Sequence, residues 1–599
     1  MTQKARYRTY ETDVAVIGGG VAGMFAARSI ISQGKNAVVL DKGPFGHSGA
    51  SGINWGHNMS DSFEKVTLDE ETIKQFVTGY AMNHDGMVPQ EYLVTLIKGS
   101  QEARAFEFAQ KTGGILERKA SDGTPNGEPV PETWLHTLYP HLVAQYITQK
   151  GVRILDHTMV LDILQDKDGA VAGVVALSLR DGEGVLIRCR AVVHAMGSPC
   201  WNYGWSGYGT KNSSGKECTG DGVALLMKKG IAYGNLEFQW PYWRNLKPDG
   251  VAYSQGIGIG GNEHATELRN KDGEYYYRTS EAWKDWPTLG TYWKVTFNQI
   301  FEGKYLEDDQ NKYMMLDITH IEKPQHFMRF SRRTSEVLNR DMGYMIGNEI
   351  PMGVEYWESQ ELPELDGATL AVKGLPGCFI AKSSWGAFLG ASAGGHVAGK
   401  NAALHAGKSA RRAIDPEEVQ RVLGHAYDLL DAEPENGIRA NTLQHKIQNL
   451  VFSKIAYNRC EKNYLEAMEE LARIEKEDLP RMFVPVKTTR ANYEWRQALE
   501  VENEIIYAKA YVEGCMARKE TRGTYIREDY KNMDNKGFLK HIFVKMDKEG
   551  RMSHYFAPVD DSYVSLQSMI ENGTLPEIGA GEYPQPGTER VAAQKLGHG

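Results

Sequence analysis

The stretch DVAVIGGGVAGMFAARSIISQGKNAVVLD, residues 13–41, constrains the fold more than any other part of the chain. A short apolar run leads into Gly18, Gly20 and Gly23 in G-x-G-x-x-G spacing. A helical pattern follows and stops on Gly34, and a second apolar run ends on Asp41. Strand, glycine turn, helix, strand and acid in this order predict a Rossmann βαβ unit. The glycines permit a tight turn and close backbone approach, the helix N-terminus receives a pyrophosphate, and Asp41 accepts hydrogen bonds from ribose hydroxyls. FAD is favoured over NAD because a small-residue loop, GPFGHSGASGINWG, follows directly and the sequence returns to the same character several hundred residues later.

Composition narrows the remaining classes. The 599 residues are 41% hydrophobic and 24% charged with a net charge of −9, and basic residues are spread rather than clustered, which argues against nucleic acid as partner. Six cysteines occur singly, without a C-x-x-C pair, so neither a zinc site nor an iron–sulfur cluster has a motif. No apolar run approaches the ~18 residues needed to span a bilayer, and MTQKARYRTY has no signal-peptide character. The expectation is a cytoplasmic protein with reduced thiols, touching a membrane only through a partner.

The predicted fold class is α/β: a Rossmann-type FAD-binding domain with an inserted α+β capping domain and a C-terminal helical domain. The first part of the FAD domain takes residues 1–240. An aromatic, glycine-rich segment, 241–357, forms the cap and substrate domain. The return to the FAD domain spans 358–410, through LPGCFIAKSSWGAFLGASAGGHVAGKNAA. Amphipathic stretches such as YLEAMEELARIEKEDL make a helical domain at 411–530, and 531–599 is an extension whose Pro/Gly-rich end has little to pack with.

Six pieces in order, VIGGGVAG, SGASGIN, AVVHAMG, CTGDGVALLMKKG with NLEFQWPYWRN, GASAGGHVAGKNAA and ARKETRGTYIREDY, give the chain a resemblance to a known family. It resembles the flavoprotein subunits of succinate dehydrogenase and fumarate reductase, and within them the adenylylsulfate reductase alpha-subunit branch. The resemblance implies FAD, a cap over the flavin, and an iron–sulfur (ferredoxin-like) redox partner. It extends the cofactor contacts to Lys42, His47, Ser48, Gly49, Ala50, Ser51 and Gly52, to Ala195 and Gly197, to Asp221, and to Ser383, Gly390 and Ser392. The departures are specific. The family's His-Pro-Thr is replaced by the QWPYWRN of EFQWPYWRN, the glycine turn GAFLGASAGGH lacks the substrate arginine, and the acidic ribityl contact reads Ala381-Lys382-Ser383. Four-carbon diacid chemistry therefore lacks its usual residues.

For catalysis the resemblance points first to Arg244, seven positions after Glu237, where a guanidinium would hold an oxyanion bidentately beside the flavin. The competing reading is a surface arginine in an aromatic loop. Trp240, Tyr242 and Trp243 either wall a pocket for a planar substrate or pack the cap. Asn54 either orients substrate or ends a turn, and His264 is either a proton donor or an exposed loop histidine. Arg518, Arg522 and Arg527 with Glu520 and Asp529 read as a structural ion network, and Arg329, Arg332 and Arg333 as a solvated helix face. For His47 three readings stay open: a covalent bond to the flavin, a non-covalent contact, or no role.

These observations lead to an FAD-dependent oxidoreductase that transfers hydride between FAD and a small anionic or aromatic organic substrate and exchanges electrons with an iron–sulfur partner. Two alternatives stand beside it: a sulfur-compound reductase working through a flavin–sulfite adduct, and an electron-transfer subunit without a substrate of its own.

Overall fold

A computed structural model describes residues 5–49, 68–104, 138–203, 215–246, 268–280, 289–308, 312–317, 319, 349–382 and 387–575. The strand β1 (Tyr7–Glu11) joins β5 (Thr158–Gln165), β6 (Val171–Ser178) and β7 (Gly184–Arg188) in a sheet of order β1-β7-β6-β5. The organising sheet is parallel. β2 (Val14–Ile17) lies between β3 (Ala37–Leu40) and β8 (Ala191–His194), with β4 (Arg153–Leu155) and β16 (Cys378–Ile380) at the edges. Every residue of β2, β3, β8 and β16 is buried, as continuous apolar strands covered on both faces require. The late segment around Cys378 thus completes a sheet begun at Val14.

The Val21–Ser32 helix covers one face of this sheet and packs along the Ala387–Lys408 helix. Their closeness follows from small residues, because Gly395 and Gly399 rest on the main chain of Ala22 and Ala26 with no room for a Cβ. A second, antiparallel sheet contains β10 (Gln239–Asn245), β11 (Leu268–Arg269), β13 (Lys312–Asp317) and β14 (Glu349–Ser359) in the order β10-β14-β13-β11, with β12 (Leu306–Glu307) paired to β13. The Leu289–Phe301 helix brings Trp293 and Phe297 into the core beside it.

Among the described residues beyond 410 the chain is mainly helical. Asp415 caps the Pro416–Asp431 helix by accepting from Glu417 N at 2.9 Å, and Asn492 caps the Tyr493–Ala517 helix by accepting from Trp495 N at 3.1 Å. Short strands β17 (Ile438–Arg439) and β18 (Met482–Phe483) pair between these helices. β19 (Lys540–Met546) and β20 (Met552–Pro558) form a hairpin that joins β9 (Tyr233–Gly234) and β15 (Leu362–Pro363), because KHIFVKM buries His541, Ile542 and Val544 against the core. Among the described residues no helix is long and apolar enough to cross a membrane.

Candidate functional site

The cleft opens where β2, β3 and β8 end at their C-terminal edge, the place where parallel sheets bind nucleotides. Its walls include Gly18, Gly20 and Val21 from the glycine turn, Asp41 and Lys42 after β3, and Ala195 to Ser198 after β8. Ser48, Gly49, Glu217, Cys218, Asp221 and Lys382 close it. Gly18 has φ +104°, and a Cβ there would strike the carbonyl oxygen of Ala195; one on Gly23 would strike that of Gly18. The turn therefore tolerates no side chain at either position, and it delivers the N-terminus of the Val21–Ser32 helix to the cleft floor.

Asp41 is 5% exposed and fixes the adjoining loop. Its Oδ2 accepts from Gly19 N at 2.9 Å, and its Oδ1 accepts from Gly43 N at 2.9 Å and Ser48 Oγ at 2.7 Å. A carboxylate offers about four acceptor positions, so one on Oδ2 is left for a ligand hydroxyl. Burial pushes the Asp41 pKa up to about 6, against the pull of these hydrogen bonds and with some help from Glu217. An under-filled acceptor beside a helix N-terminus suits the ribose and diphosphate of a dinucleotide, so the residues present fit FAD.

Lys42 and Asp221, both expected at the cofactor, meet each other: Lys42 Nζ lies 2.6 Å from Asp221 Oδ2, 2.6 Å from Thr219 Oγ1 and 2.7 Å from Glu500 Oε1. Asn503 donates to Asp221 Oδ1 at 2.7 Å. Burial disfavours the Asp221 charge, yet Lys42 and these donors hold its pKa below the usual carboxylate value. Lys382, the residue before Ser383 at the position of the resembled family's acid, is 5% exposed; its ammonium donates to the Glu361 carbonyl at 2.9 Å and pairs with the Glu361 carboxylate.

The structure gathers Gly18, Gly20, Asp41, Lys42, Ser48, Gly49, Ala195, Gly197 and Asp221 around the cleft, with Gly23 immediately behind the turn. Gly390 and the buried Ser392 flank Ala391, which lines it. His47 is exposed on the same loop, its backbone N donating to Pro44 O at 2.9 Å. Arg244 lies in β10 opposite Gly353, its backbone placed and its side chain outside the described set, as is that of Tyr242. Trp243 is 3% exposed and packs on Trp293 with ring centroids 5.4 Å apart, while Trp240 reaches the His84 ring at 5.3 Å. Trp243 is thus an element of the cap core, and the packing reading of that aromatic is the one the geometry favours. Ala50, Ser51, Gly52, Asn54, His264, Ser383 and the arginines 329, 332 and 333 lie outside the described residues.

Sequence reasoning missed Glu217, Cys218, Glu361, Glu500 and Asn503 at or behind the cleft wall, since no local pattern ties residue 500 to residue 42. It also missed His84, a buried histidine whose pKa burial pushes down to about 3 and whose Nδ1 faces Gln360 Nε2 at 3.1 Å. The arginines near the end form a buried network. Arg518 donates to Glu237 at 2.7 Å and Glu520 at 2.8 Å, Arg522 to Glu520 at 2.7 Å and to Asp85 O at 2.7 Å, and Arg527 to Asp529 at 2.7 Å. All three arginines are at most 1% exposed.

Comparison with known proteins places this geometry. The family model described as FAD binding domain matches residues 13–276, and that described as fumarate reductase flavoprotein C-term matches residues 444–572, between them most of the chain. The chain is similar to one of the subunits of the fumarate reductase (CoM/CoB) of Methanothermobacter marburgensis, 24% identical over 551 residues that cover 87% of this chain and 95% of that protein. Among solved structures it superposes on E. coli quinol fumarate reductase with TM-score 0.76 at 18% identity, covering 93% of this chain and 98% of that one. Adenylylsulfate reductase from Archaeoglobus fulgidus gives TM-score 0.75 at 19% identity with the same coverage, 93% and 98%. At these identities the structural likeness is one of fold.

Proposed function

The chain belongs to the flavoprotein-subunit family of succinate dehydrogenase and fumarate reductase and is an FAD-dependent oxidoreductase; from this premise we propose that it moves hydride between FAD and a small anionic or aromatic organic substrate. The same reading gives it an iron–sulfur protein as electron partner and a cytoplasmic location, with any membrane contact made through that partner.

The observation that carries the proposal is the under-filled Asp41 carboxylate facing a helix N-terminus on a sheet whose edge strand β16 returns several hundred residues after β2. Bound FAD supplies the two-electron carrier. The protein's own groups do the rest. The Gly20–Val21 helix start offers backbone N–H groups and a positive dipole end to the diphosphate, and Asp41 fixes the ribose. Arg244, carried on β10 of the second sheet, is assigned to the substrate oxyanion, where charge-assisted hydrogen bonds favour the charge that develops as hydride moves. The missing family residues, His-Pro-Thr and the glycine-turn arginine, argue for a substrate other than a four-carbon diacid.

The test is anaerobic: reduce the purified protein and add enoates, aromatic acids, quinones or an oxidised ferredoxin in turn, and separately add sulfite to the oxidised protein and watch for bleaching of the flavin band. Reoxidation by an organic acid, slowed in an Arg244→Gln variant, supports the proposal. Response to sulfite alone, or to ferredoxin alone, selects one of the two alternatives instead.

A further inference from the structure

The cofactor cleft is walled partly by residues that the FAD-binding match does not contain. The Tyr493–Ala517 helix sends Arg496, Glu500 and Asn503, spaced along one face, to the back of the cleft. Glu500 is 1% exposed and pairs with Lys42 at 2.7 Å and with Arg496 at 3.1 Å; Arg496 also faces Glu217 at 3.6 Å. Lys42 lines the cleft, yet three oxygens stand within 2.7 Å of its ammonium, as many as it has N–H groups. A fourth acceptor, such as a phosphate oxygen, would have to displace one of them.

We propose that Lys42 is a positioning residue of the FAD site, held by Asp221 and by Glu500 of the helical domain, and not a ligand of the cofactor's phosphates. The ammonium balances two buried carboxylates and so fixes two pieces of cleft wall: the Asp41–Gly43 turn that carries the ribose acceptor, and the Gly220–Gly222 start of the Asp221–Met227 helix. Counting Lys42 and Arg496 against Asp221, Glu500 and Glu217, the cluster carries one net negative charge. Removing Lys42 alone makes that two negative charges beside an anionic diphosphate. Removing Lys42 and neutralising Glu500 together restores the original balance. Burial opposes the Lys42 charge, but Asp221 and Glu500 overcome it and hold its pKa above the ordinary lysine value.

The inference rests on FAD being the cofactor, and its test reads affinity rather than turnover. Apoprotein of the wild type and of the K42M, E500Q and K42M/E500Q variants is titrated with FAD by flavin fluorescence, and each apoprotein's thermal midpoint is recorded. K42M should weaken FAD binding at least about tenfold. E500Q, which leaves Lys42 its Asp221 and Thr219 partners, should weaken it less than K42M does, and the double variant should regain most of the K42M loss. A double variant as weak as K42M would show that Lys42 touches the cofactor itself and would overturn the proposal. A thermal midpoint that recovers without recovery of affinity would count against it in the same way. Should K42M fail to fold, the FAD-loaded wild-type crystal structure decides: Lys42 Nζ remaining on Thr219, Asp221 and Glu500 upholds the assignment, and Nζ on a phosphate oxygen overturns it. Wild-type protein that binds no FAD would instead remove the cofactor assignment beneath it.

Discussion

FAD affinity should fall as pH drops through about 6, and Asp41 is the reason. Its carboxylate must be ionised to accept from a ribose hydroxyl, because the protonated form spends one oxygen as a donor. Burial raises its pKa to about 6, whereas an exposed aspartate would stay charged well below that. If only the ionised form binds, half the sites are competent at the pKa and about one in eleven a unit below it, so the apparent Kd should rise about twofold near pH 6 and about tenfold near pH 5. The assay is a fluorescence titration of apoprotein with FAD between about pH 5 and 8. Asp41→Asn should lose about 1.5–3 kcal/mol of binding, the worth of a hydrogen bond to a charged group, and its remaining affinity should not vary across that range. A flat wild-type profile, or a D41N profile with the same slope, would refute the assignment of Asp41 as the ribose acceptor.

Three further outcomes follow from the packing. Gly23→Val should abolish the visible flavin spectrum of the purified protein, since any Cβ there meets the Gly18 carbonyl. Arg518→Met should cost about 3–5 kcal/mol in urea unfolding by stranding the fully buried Glu237, and R518M/E237L should recover most of it. Because burial already raises the Glu237 pKa, the R518M defect should shrink on acidification, when that carboxyl becomes neutral. Acid precipitation should release the yellow colour into the supernatant if His47, exposed on its loop, makes no bond to the flavin; colour kept in the pellet would establish covalent attachment.

The legible part of this protein was local. Gly18, Gly20, Gly23 and Asp41 sit within one βαβ unit, so spacing alone placed a buried acid beside a glycine turn. The return of the chain to the same sheet was legible as the change from aromatic loops back to small residues, and β16 lies beside β8 accordingly. The Arg518–Glu520–Arg522 alternation likewise foretold an ion network, although only the structure shows it buried and locked to Glu237 and Asp85. What stayed hidden depends on distant pairing. Lys42 with Glu500, Lys382 with Glu361 and the Lys540–Pro558 hairpin on Tyr233 each join segments that no periodicity connects. Trp243 shows the converse limit, since an aromatic run reads the same whether it walls a pocket or fills a core.

A chain that carries FAD and uses it on a small anionic or aromatic organic substrate must give up its electrons to such a compound. The most direct measurement is the anaerobic reoxidation of the reduced holoprotein, followed by the return of its visible flavin absorbance as candidate anionic and aromatic acids are added. Stoichiometric return of the oxidised spectrum with at least one such acid, at a rate that falls in Arg244→Gln, is the expected result. A reduced flavin that answers to no organic acid and is reoxidised only by an iron–sulfur protein would contradict it.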